Sequence, residues 1–549
     1  MRIRTFVRIL TCCAIAAALA ACSKTSTAGS GTGGRTNSWT QPHVLRMADA
    51  GDVNTLNPHL GQFADVGYVA QMTMAWLVRW DENNNPYPEL ATEIPTQANG
   101  GVSKDGLTIT YHLRKGVKWA DGVPFDADDV VFSTKVVLNT ANDEIGRLGW
   151  DQIASVAEPD KFTVVYHMKK PYSPFVETFF STAGANPCIL PKHLLAQYPN
   201  INNVPYNALP VGIGPFKVQR WDRAQQVVMV ANPLYWRGRP KLDEVIFKII
   251  PDRNTLESQI QAHEVDLWYT MPGSYLDRLR DTPGFTTFKK PGYIYNHIDF
   301  NLQRPGDSDP AVRAAIRLAT DRATILQKIG HGLGSLQDVT TPLTAPYSVT
   351  SIQKTPFDVA QANALLDKAG WKLGADGVRA KNGTRLALDL YTVTGSNDTD
   401  EQIELIRQTW KQIGVTFSVH HVQSAIMFAP SKEGGVVYGD KWDVIFFAWQ
   451  NEAIGDMTPI YGCHSFPPAG QNNLRWCNQR AQAAMDALFG HFEQSQRNGD
   501  VLAIQQEFVK DVPSIVTYIR QDAYLYNSDL KGYHPNNVSQ FDNMMNVDI

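Results

Sequence analysis

The sequence lacks an excess of charge of either sign. Its 549 residues include 50 lysines and arginines and 54 aspartates and glutamates, which leaves a formal net charge of -4. A surface that binds nucleic acid needs a clear excess of basic residues, so nucleic acid is not an expected partner. Hydrophobic residues at 43% and charged residues at 19% are typical of a globular protein. A chain of this length exceeds one ordinary hydrophobic core, and we therefore expect two or more lobes.

Beyond its first residues the sequence also lacks a hydrophobic run long enough to span a membrane. At the start, three arginines precede a short apolar stretch, 9–18. This pattern predicts a secretory signal segment over residues 1–22. The Leu-Ala-Ala-Cys sequence at its end resembles the bacterial lipobox, in which the cysteine, here Cys22, becomes a lipidated first residue. A plain signal peptide is the alternative.

Residues 23–43 begin with a tract rich in serine, threonine and glycine and predict a flexible tether. Together with the lipobox they predict a body outside the cytoplasm of a bacterial cell, in the periplasm or on the outer surface. Its contact with the membrane would be through the lipid anchor only.

Cysteine is scarce, with six in the whole chain. Once the signal segment and Cys22 are set aside, Cys188, Cys463 and Cys477 remain. In an oxidising compartment Cys463 and Cys477 can pair across a short loop. A zinc site is the alternative, because His464 adjoins Cys463, but no Cys-x-x-Cys spacing supports it. Cys188 is expected to be a buried free thiol.

Motifs that carry catalysis are missing as well. The sequence has no Gly-x-Ser-x-Gly, no His-Glu-x-x-His and no Gly-Lys-Ser/Thr after a glycine loop. His420 and His421 are neighbours on a predicted strand and point to opposite faces, which argues against joint metal ligation. We therefore expect no enzyme, no metal and no cofactor, although acidic residues are plentiful and counting does not exclude a glycosidase pair.

What the sequence does contain is a clear strand, turn and helix between Leu107 and Leu138. Hydrophobic residues alternate with polar ones from Leu107 to Leu113, which predicts a half-buried strand. Glycines and a proline then break the pattern. Asp126 is a good N-cap for the helix that follows, and Asp129 lies in its first turn, where acids complement the free N–H groups.

Residues 114–130 of this segment are Arg-Lys-Gly-Val-Lys-Trp-Ala-Asp-Gly-Val-Pro-Phe-Asp-Ala-Asp-Asp-Val. This sequence resembles the signature of the family 5 extracellular solute-binding proteins. These are the peptide- and nickel-type receptors of ABC importers. Further motifs that resemble the family occur in the expected order along nearly the whole mature chain, at 56–58, 86–91, 210–216, 232–238 and 313–322.

The resemblance implies an α/β fold with two lobes around a hinge, of the periplasmic-binding-protein type II-like class (cluster C), with an extra subdomain in the first lobe. The corresponding boundaries are 44–80 for the start of the first lobe, 81–206 for the extra subdomain, 207–294 for the rest of the first lobe, 295–519 for the second lobe and 520–549 for a return to the first lobe. The resemblance also favours the disulfide over the zinc site.

The resemblance places ligand-binding residues at the end of one strand of the second lobe. Dipeptide receptors have Gly-Trp-x-Gly-Asp there, and the Asp holds the ligand's amino terminus. The matching residues here are Trp449, Gln450, Asn451 and Glu452, with Asp456 as a second candidate acid. A solvated loop acid is the alternative interpretation of Glu452.

In dipeptide receptors an arginine holds the ligand's carboxylate, and the matching loop here, 391–397, has none. Longer peptides, or a neutral polar ligand such as an oligosaccharide, fit better. From the first lobe we expect two groups of residues to face the cleft, although such aromatic residues are often core instead. They are Phe63, Ala64, Asp65, Tyr269 and Thr270.

The predicted function is that of a monomeric receptor that captures an oligopeptide and delivers it to the permease subunits of an ABC importer. Within the same class, an oligosaccharide, an opine or a nickel chelate are alternatives. From other classes, the alternatives are an extracytoplasmic hydrolase and a sensor or chaperone that uses the receptor fold.

Overall fold

The structure, a computed structural model, describes residues 37–51, 53–61, 63–147, 149–182, 187–429, 433–451, 455–536 and 538–549. Within it, Trp39–Ile549 form one compact unit. Strands and helices are numbered in chain order.

The strands are β1 (Val44–Asp49), β2 (Val78–Trp80), β3 (Pro86–Pro88), β4 (Thr108–His112), β5 (Ile153–Asp160), β6 (Thr163–Met168), β7 (Phe216–Asp222), β8 (Gln226–Ala231), β9 (Glu244–Ile249), β10 (Leu267–Trp268), β11 (Phe285–Phe300), β12 (Gly334–Ser335), β13 (Lys372–Leu373), β14 (Arg379–Lys381), β15 (Thr384–Arg385), β16 (Ala387–Val393), β17 (Thr416–Val422), β18 (Val444–Gln450) and β19 (Ser514–Asn527).

The α-helices are α1 (Ala64–Thr73), α2 (Ala127–Leu138), α3 (Phe175–Thr178), α4 (Lys192–Leu195), α5 (Arg253–Gln261), α6 (Gly273–Leu279), α7 (Pro310–Leu318), α8 (Arg322–Lys328), α9 (Val359–Lys368), α10 (Asn397–Lys411), α11 (Ser424–Met427), α12 (Thr458–Tyr461), α13 (Gln479–Gly490) and α14 (Gln494–Asp511).

One mixed sheet runs through the molecule in the order β17-β16-β18-β11-β19-β10-β1-β9-β8-β7, with β12 paired to β19. We call the part with β7 to β10 and β1 the first lobe and the part with β16 to β18 the second lobe. The long antiparallel strands β11 and β19 belong to both, and we call them the hinge strands. Their first pairing, Phe285–Pro291 with Gln521–Asn527, borders the first lobe. Their second, from Tyr295 onwards, borders the second lobe.

The pairing of the hinge strands shifts register between Pro291 and Tyr295. Pro291 has no backbone N–H to donate to the ladder. A Cβ on the next residue, Gly292, would lie 2.9 Å from the backbone carbonyl oxygen of Arg520, so glycine permits the close approach of the two strands there. The sequence Pro-Gly thus sets the irregularity where the sheet passes from one lobe to the other.

The extra subdomain contains the small sheet β4-β6-β5 with α2 packed on it. The predicted cap of α2 is confirmed: the Asp126 side chain accepts from the Asp128 N–H, and Asp129 completes a capping box. Asp129 also accepts from the indole N–H of Trp119 at 3.1 Å. This helix start is therefore fixed by its own sequence and by a buried neighbour.

Helix α1 is shorter than the sequence suggested. The hydrophobic pattern predicts a helix from Val66 to Val78, but α1 ends at Thr73. From there tertiary hydrogen bonds replace helical ones, because the Leu77 N–H donates to the Phe180 carbonyl at 2.9 Å. The prediction was wrong at this end because apolar residues buried in an extended segment look the same as those of a buried helix.

The sequence 313–322 likewise predicts a single helix, but the observed helix is shorter. It ends at Leu318, and α8 starts anew with Asp321 as its N-cap, accepting from the Thr324 N–H. The Thr320 hydroxyl meanwhile donates back to the Ile316 carbonyl at 2.8 Å. Short polar side chains next to one another thus divide one apparent helix into two.

The glycine motif at 210–216 lies against the end of α1. A Cβ on Gly212 would lie 1.9 Å from the Thr73 carbonyl oxygen, and one on Gly214 would lie 2.5 Å from the Met72 carbonyl oxygen. Backbone packs on backbone here, so both positions exclude any side chain. This explains the motif as a packing device in the first lobe.

No helix among the described residues is both long and apolar enough to cross a membrane. The structure joins Cys463 and Cys477 in a disulfide and buries Cys188 as a free thiol. In the described part of the chain no three His, Cys, Asp or Glu side chains are grouped so that they could hold a metal ion. Cys22 lies outside the described residues.

Candidate functional site

A cavity of 1040 Å³ lies between the two lobes. The hinge strands contribute to it through Ile294, Asn296, Tyr518 and Arg520–Ala523. The first lobe contributes Pro251–Asn254 and Thr270–Tyr275, and the second contributes Phe446–Ala448, among others. Cavities for small ligands usually measure about 300–1,000 Å³, so this one has room for a large ligand.

Five charged side chains line the cavity without a salt-bridge partner among the described residues. Asp252 and Arg253 come from the first lobe, Asp398 from the second, and Arg520 and Asp522 from β19. Asp252 accepts from the Thr255 N–H at 2.7 Å, and Arg520 donates through Nε to the Asn296 side chain at 2.9 Å. The other three side chains make no hydrogen bond or ion pair with any residue that the structure describes. The cavity therefore offers two cationic and three anionic groups to whatever fills it.

The second lobe presents the start of α10 to the cavity. Ser396 caps this helix by accepting from the Thr399 N–H at 3.2 Å, and Asp398 and Asp400 lie in its first turn. The acids already complement the positive end of the helix dipole. The helix start is therefore not expected to attract an anion.

Beside the cavity, one edge of strand β18 is left unpaired by every strand that the structure describes. On one side it pairs with β11 along its whole length, from Phe300 opposite Val444 to Ile294 opposite Gln450. On the other side its recorded pairing with β16 ends at Phe446. Phe447 and Ala448 line the cavity beyond this point. An extended peptide can add to such an edge as a further strand, bound through its backbone.

A group of acids and tyrosines lies in the first lobe behind the cavity. Asp65 is buried and accepts from the Tyr269 hydroxyl at 2.7 Å. Burial, followed by the charge of Asp65, raises the pKa of Asp49 to about 7. Burial also raises the pKa of Tyr68 strongly, and Asp65, Asp522 and Asp49 add to the effect. Burial and the neighbouring carboxylate therefore favour the protonated form of Asp49 more than in an exposed aspartate.

The structure separates the residues predicted from the first lobe. Thr270 lines the cavity. Asp65 and Tyr269 are bonded to each other in the interior. Phe63 is 47% exposed and precedes α1 as its N-cap, and Ala64 is the first residue of that helix. A direct ligand contact stays a prediction for all five residues.

The structure places the residues predicted from the second lobe around the end of β18. The Trp449 ring packs 5.0 Å from Phe447 and 6.3 Å from His297, measured between centroids. Asn451 donates to the Thr340 carbonyl at 2.7 Å, so its amide is used within the protein. Gln450 is exposed at the end of the strand. Their contact with ligand also stays a prediction.

The two predicted acids have different outcomes. Glu452 lies outside the described residues. Asp456 is described, and its carboxylate accepts from the Thr458 N–H at 2.9 Å. Burial raises the pKa of Asp456. Asp456 therefore has a local structural contact, and its role towards a ligand is untested.

Sequence reasoning missed Arg253, Arg520 and Asp522. A signal for two of them was present: Arg520 and Asp522 are the two charged residues of the stretch 514–527, which is rich in apolar and aromatic residues. Charged residues at alternate positions of such a strand point to a polar cavity on one face.

Residues 85–467 match the family model described as "Bacterial extracellular solute-binding proteins, family 5 Middle". Oligopeptide-binding protein AppA of Bacillus subtilis (strain 168) is 26% identical over 479 residues, which cover 85% of this chain and 84% of AppA. Di/tripeptide-binding protein 2 of Pseudomonas aeruginosa (strain UCBPP-PA14) is 28% identical over 461 residues, which cover 78% of this chain and 81% of the relative.

Solved structures show the same fold. The structure of AppA from Bacillus subtilis in complex with a nonapeptide has a TM-score of 0.74 at 23% identity and covers 92% of this chain and 99% of its own. The structure of NikZ from Campylobacter jejuni in complex with Ni(L-His) has a TM-score of 0.76 at 23% identity, with coverage of 93% and 100%.

Proposed function

Because the chain belongs to family 5 of the bacterial extracellular solute-binding proteins, we propose that it is the receptor of an ABC importer that captures an oligopeptide between its lobes. The observation that carries this proposal is the 1040 Å³ cavity beside the open edge of β18. A ligand enclosed there must have its polar groups matched, since burying them unpaired is costly. A peptide backbone meets this need by pairing with the strand edge.

The cleft closes by bending at the hinge strands. This proposal includes the lobe and subdomain boundaries expected from the sequence, which are 44–80, 81–206, 207–294, 295–519 and 520–549. The register shift between Pro291 and Tyr295 supports a hinge at the predicted start of the second lobe. Domain closure commonly uses a few residues where elements change direction.

A peptide screen tests the proposed ligand class. The purified protein is mixed with a library of tri- to hexapeptides, and the retained molecules are eluted and read by mass spectrometry. We expect peptides to be enriched and returned uncut, because a receptor that passes its ligand to a permease has no need of a reaction. Cleavage products in the eluate would favour the hydrolase instead.

A nickel chelate is the second candidate, since the nickel-binding periplasmic protein of Escherichia coli (strain K12) is 25% identical over 416 residues. The same purified protein is titrated with Ni(II) and histidine and followed by thermal denaturation, because a ligand that binds only the folded state raises its stability. A rise in melting temperature with the chelate, together with no retained peptide, would replace the first candidate by the second.

Attachment of the protein to the membrane through a lipid on Cys22 is also part of the proposal. As a receptor, the protein would contact the permease subunits as a monomer. In a bacterial host, the wild type is expected in the membrane fraction and with a lipid on its first residue by mass spectrometry. Cys22→Ser is expected to lose both, whereas Ser23→Ala is the matched control that should keep both. Lipid on the Cys22→Ser variant would contradict this assignment.

A further inference from the structure

Two of the unpaired charges in the cleft lie on one hinge strand. Along β19, residues 518, 520, 522 and 524 share a face, because successive side chains of a strand alternate. Arg520 and Asp522 both line the cavity from this face. They do not form an ion pair with each other. Each is therefore available to a ligand at the base of the cleft.

Asp522 is held in unusual surroundings for an acid without a partner. It is half-buried, and burial raises its pKa to about 6, although Arg520 and Lys290 act in the opposite direction. The Lys290 ammonium is occupied elsewhere, since it donates to the carbonyls of Glu82 and Pro535 at 2.6 and 2.7 Å. The carboxylate thus has no bonded cation among the described residues.

A second observation concerns the tyrosines behind Asp522. The hydroxyls of Tyr524 and Tyr533 are both buried, and neither has a hydrogen-bond partner among the residues that the structure describes. Both feel the charge of Asp522, which adds to the effect of burial in raising their pKa. Neither hydroxyl therefore donates to the Asp522 carboxylate, which has no hydrogen bond from any residue that the structure describes.

The glycine opposite contributes space. A Cβ on Gly292 would lie 3.3 Å from both carboxylate oxygens of Asp522, which is tighter than ordinary side-chain contact. Glycine at this position therefore leaves room beside the Asp522 carboxylate at the hinge.

We propose that Asp522 binds a cationic group of the ligand, a primary ammonium, at the base of the cleft. The inference rests on the proposed function, because it assumes a ligand enclosed between the lobes. An ammonium of the ligand that donates a charged hydrogen bond to the Asp522 carboxylate would be the cation that this carboxylate lacks. A peptide can supply a primary ammonium from two positions, its amino terminus and a lysine side chain.

The test uses the full mature chain and three synthetic tri- to hexapeptide libraries. One has free amino termini and no lysine, one is acetylated at the amino terminus and has no lysine, and one is acetylated but carries one lysine. Retention of each library is measured for the wild type and for Asp522→Asn. We expect the wild type to retain amine-bearing peptides about 10- to 100-fold better than acetylated ones without lysine, and Asp522→Asn to lose this preference.

Two controls make the result specific. Asp281→Asn removes the same charge from a side chain that is 92% exposed and does not line the cavity, so it should leave the preference for amines intact. Equal retention of the acetylated library by wild type and Asp522→Asn shows that the variant is folded with an open cleft. If the lysine library is retained like the free-amine library, the side chain is a source of the ammonium. If it is not, the source is the amino terminus.

Two results would overturn the assignment: an unchanged preference for amines in Asp522→Asn, or an equal loss of that preference in Asp281→Asn. Loss of the preference in Glu452→Gln alone would move the ammonium site to the end of β18. Failure of the wild type to retain any library is a different outcome, since it would reject the proposed peptide function and Asp522 as its amine site together.

Discussion

Arg79→Met is expected to lower the free energy of unfolding by about 3–5 kcal/mol, because it leaves two buried carboxylates without their cation. Arg79 is 2% exposed, and its Nε lies 2.7 Å from Glu89 Oε1. Its other nitrogens donate to the carbonyls of Gln71 and Met74 at 3.0 and 3.2 Å. One terminal nitrogen also reaches Asp542 at 3.4 Å, which ties the C-terminal segment to β2.

The loss is measured by chemical denaturation at pH 7. Arg220→Met is the matched control, because Arg220 pairs with Asp222 at the surface, where both side chains are substantially exposed. An exposed pair contributes about 0–1 kcal/mol, so this control should change little. Similar losses of unfolding free energy in the two variants would mean that burial does not determine how much Arg79 stabilises the fold.

His59→Leu is expected to cost about 3–5 kcal/mol for a similar reason. His59 Nδ1 lies 2.5 Å from Glu144 Oε2, and both side chains are fully buried. The other ring nitrogen contacts the Cys188 carbonyl at 2.9 Å. Leucine would leave the Glu144 carboxylate buried without its partner. The double variant His59→Leu, Glu144→Leu should therefore lose less than the single one.

This pair also predicts a dependence on pH. Burial acts to lower the pKa of His59, but Glu144 and the Cys188 carbonyl outweigh it, so the pKa lies well above its ordinary value. A group whose pKa is raised on folding stabilises fully below the unfolded pKa, about 6.5 for histidine, and loses that stabilisation as pH rises through the folded pKa. The free energy of unfolding of the wild type should therefore exceed that of the double variant by more at pH 6 than at strongly alkaline pH.

The comparison is made by urea denaturation at several pH values. His331→Leu serves as control, since His331 pairs with Asp277 where their side chains are 29% and 51% exposed. Its effect should be small throughout. A difference between wild type and the double variant that does not fall with rising pH would contradict a charged His59.

Elements whose signals are local were predictable from the sequence. The capped helix after Asp126 is an example, since its N-cap, its acidic first turn and its apolar face all lie within a few residues. The two-lobe α/β fold followed from the ordered motifs and is confirmed by the likeness to solved structures. The ends of α1 and α7 were wrong because hydrogen bonds to distant residues, or to neighbouring polar side chains, decide them.

The site was only partly predictable. Resemblance placed it at β18, whose end does border the cavity through Ala448. It did not indicate β19, since no motif of the resemblance covers Arg520 and Asp522. Whether a charge in a strand meets a partner or a cavity depends on the strands that pair with it, and those lie far away in the sequence.

The first lobe is closed by the end of the chain. The His43 N–H donates to the Ile549 carbonyl at 3.2 Å, and the Asn536 side chain donates to the Trp80 carbonyl at 2.6 Å. The second lobe needs no such late segment except the first part of β19. Because synthesis proceeds from the N-terminus, the first lobe is begun first and completed last. Removal of about the last thirty residues would therefore destabilise the first lobe, which contains the N-terminal strands, rather than the second lobe.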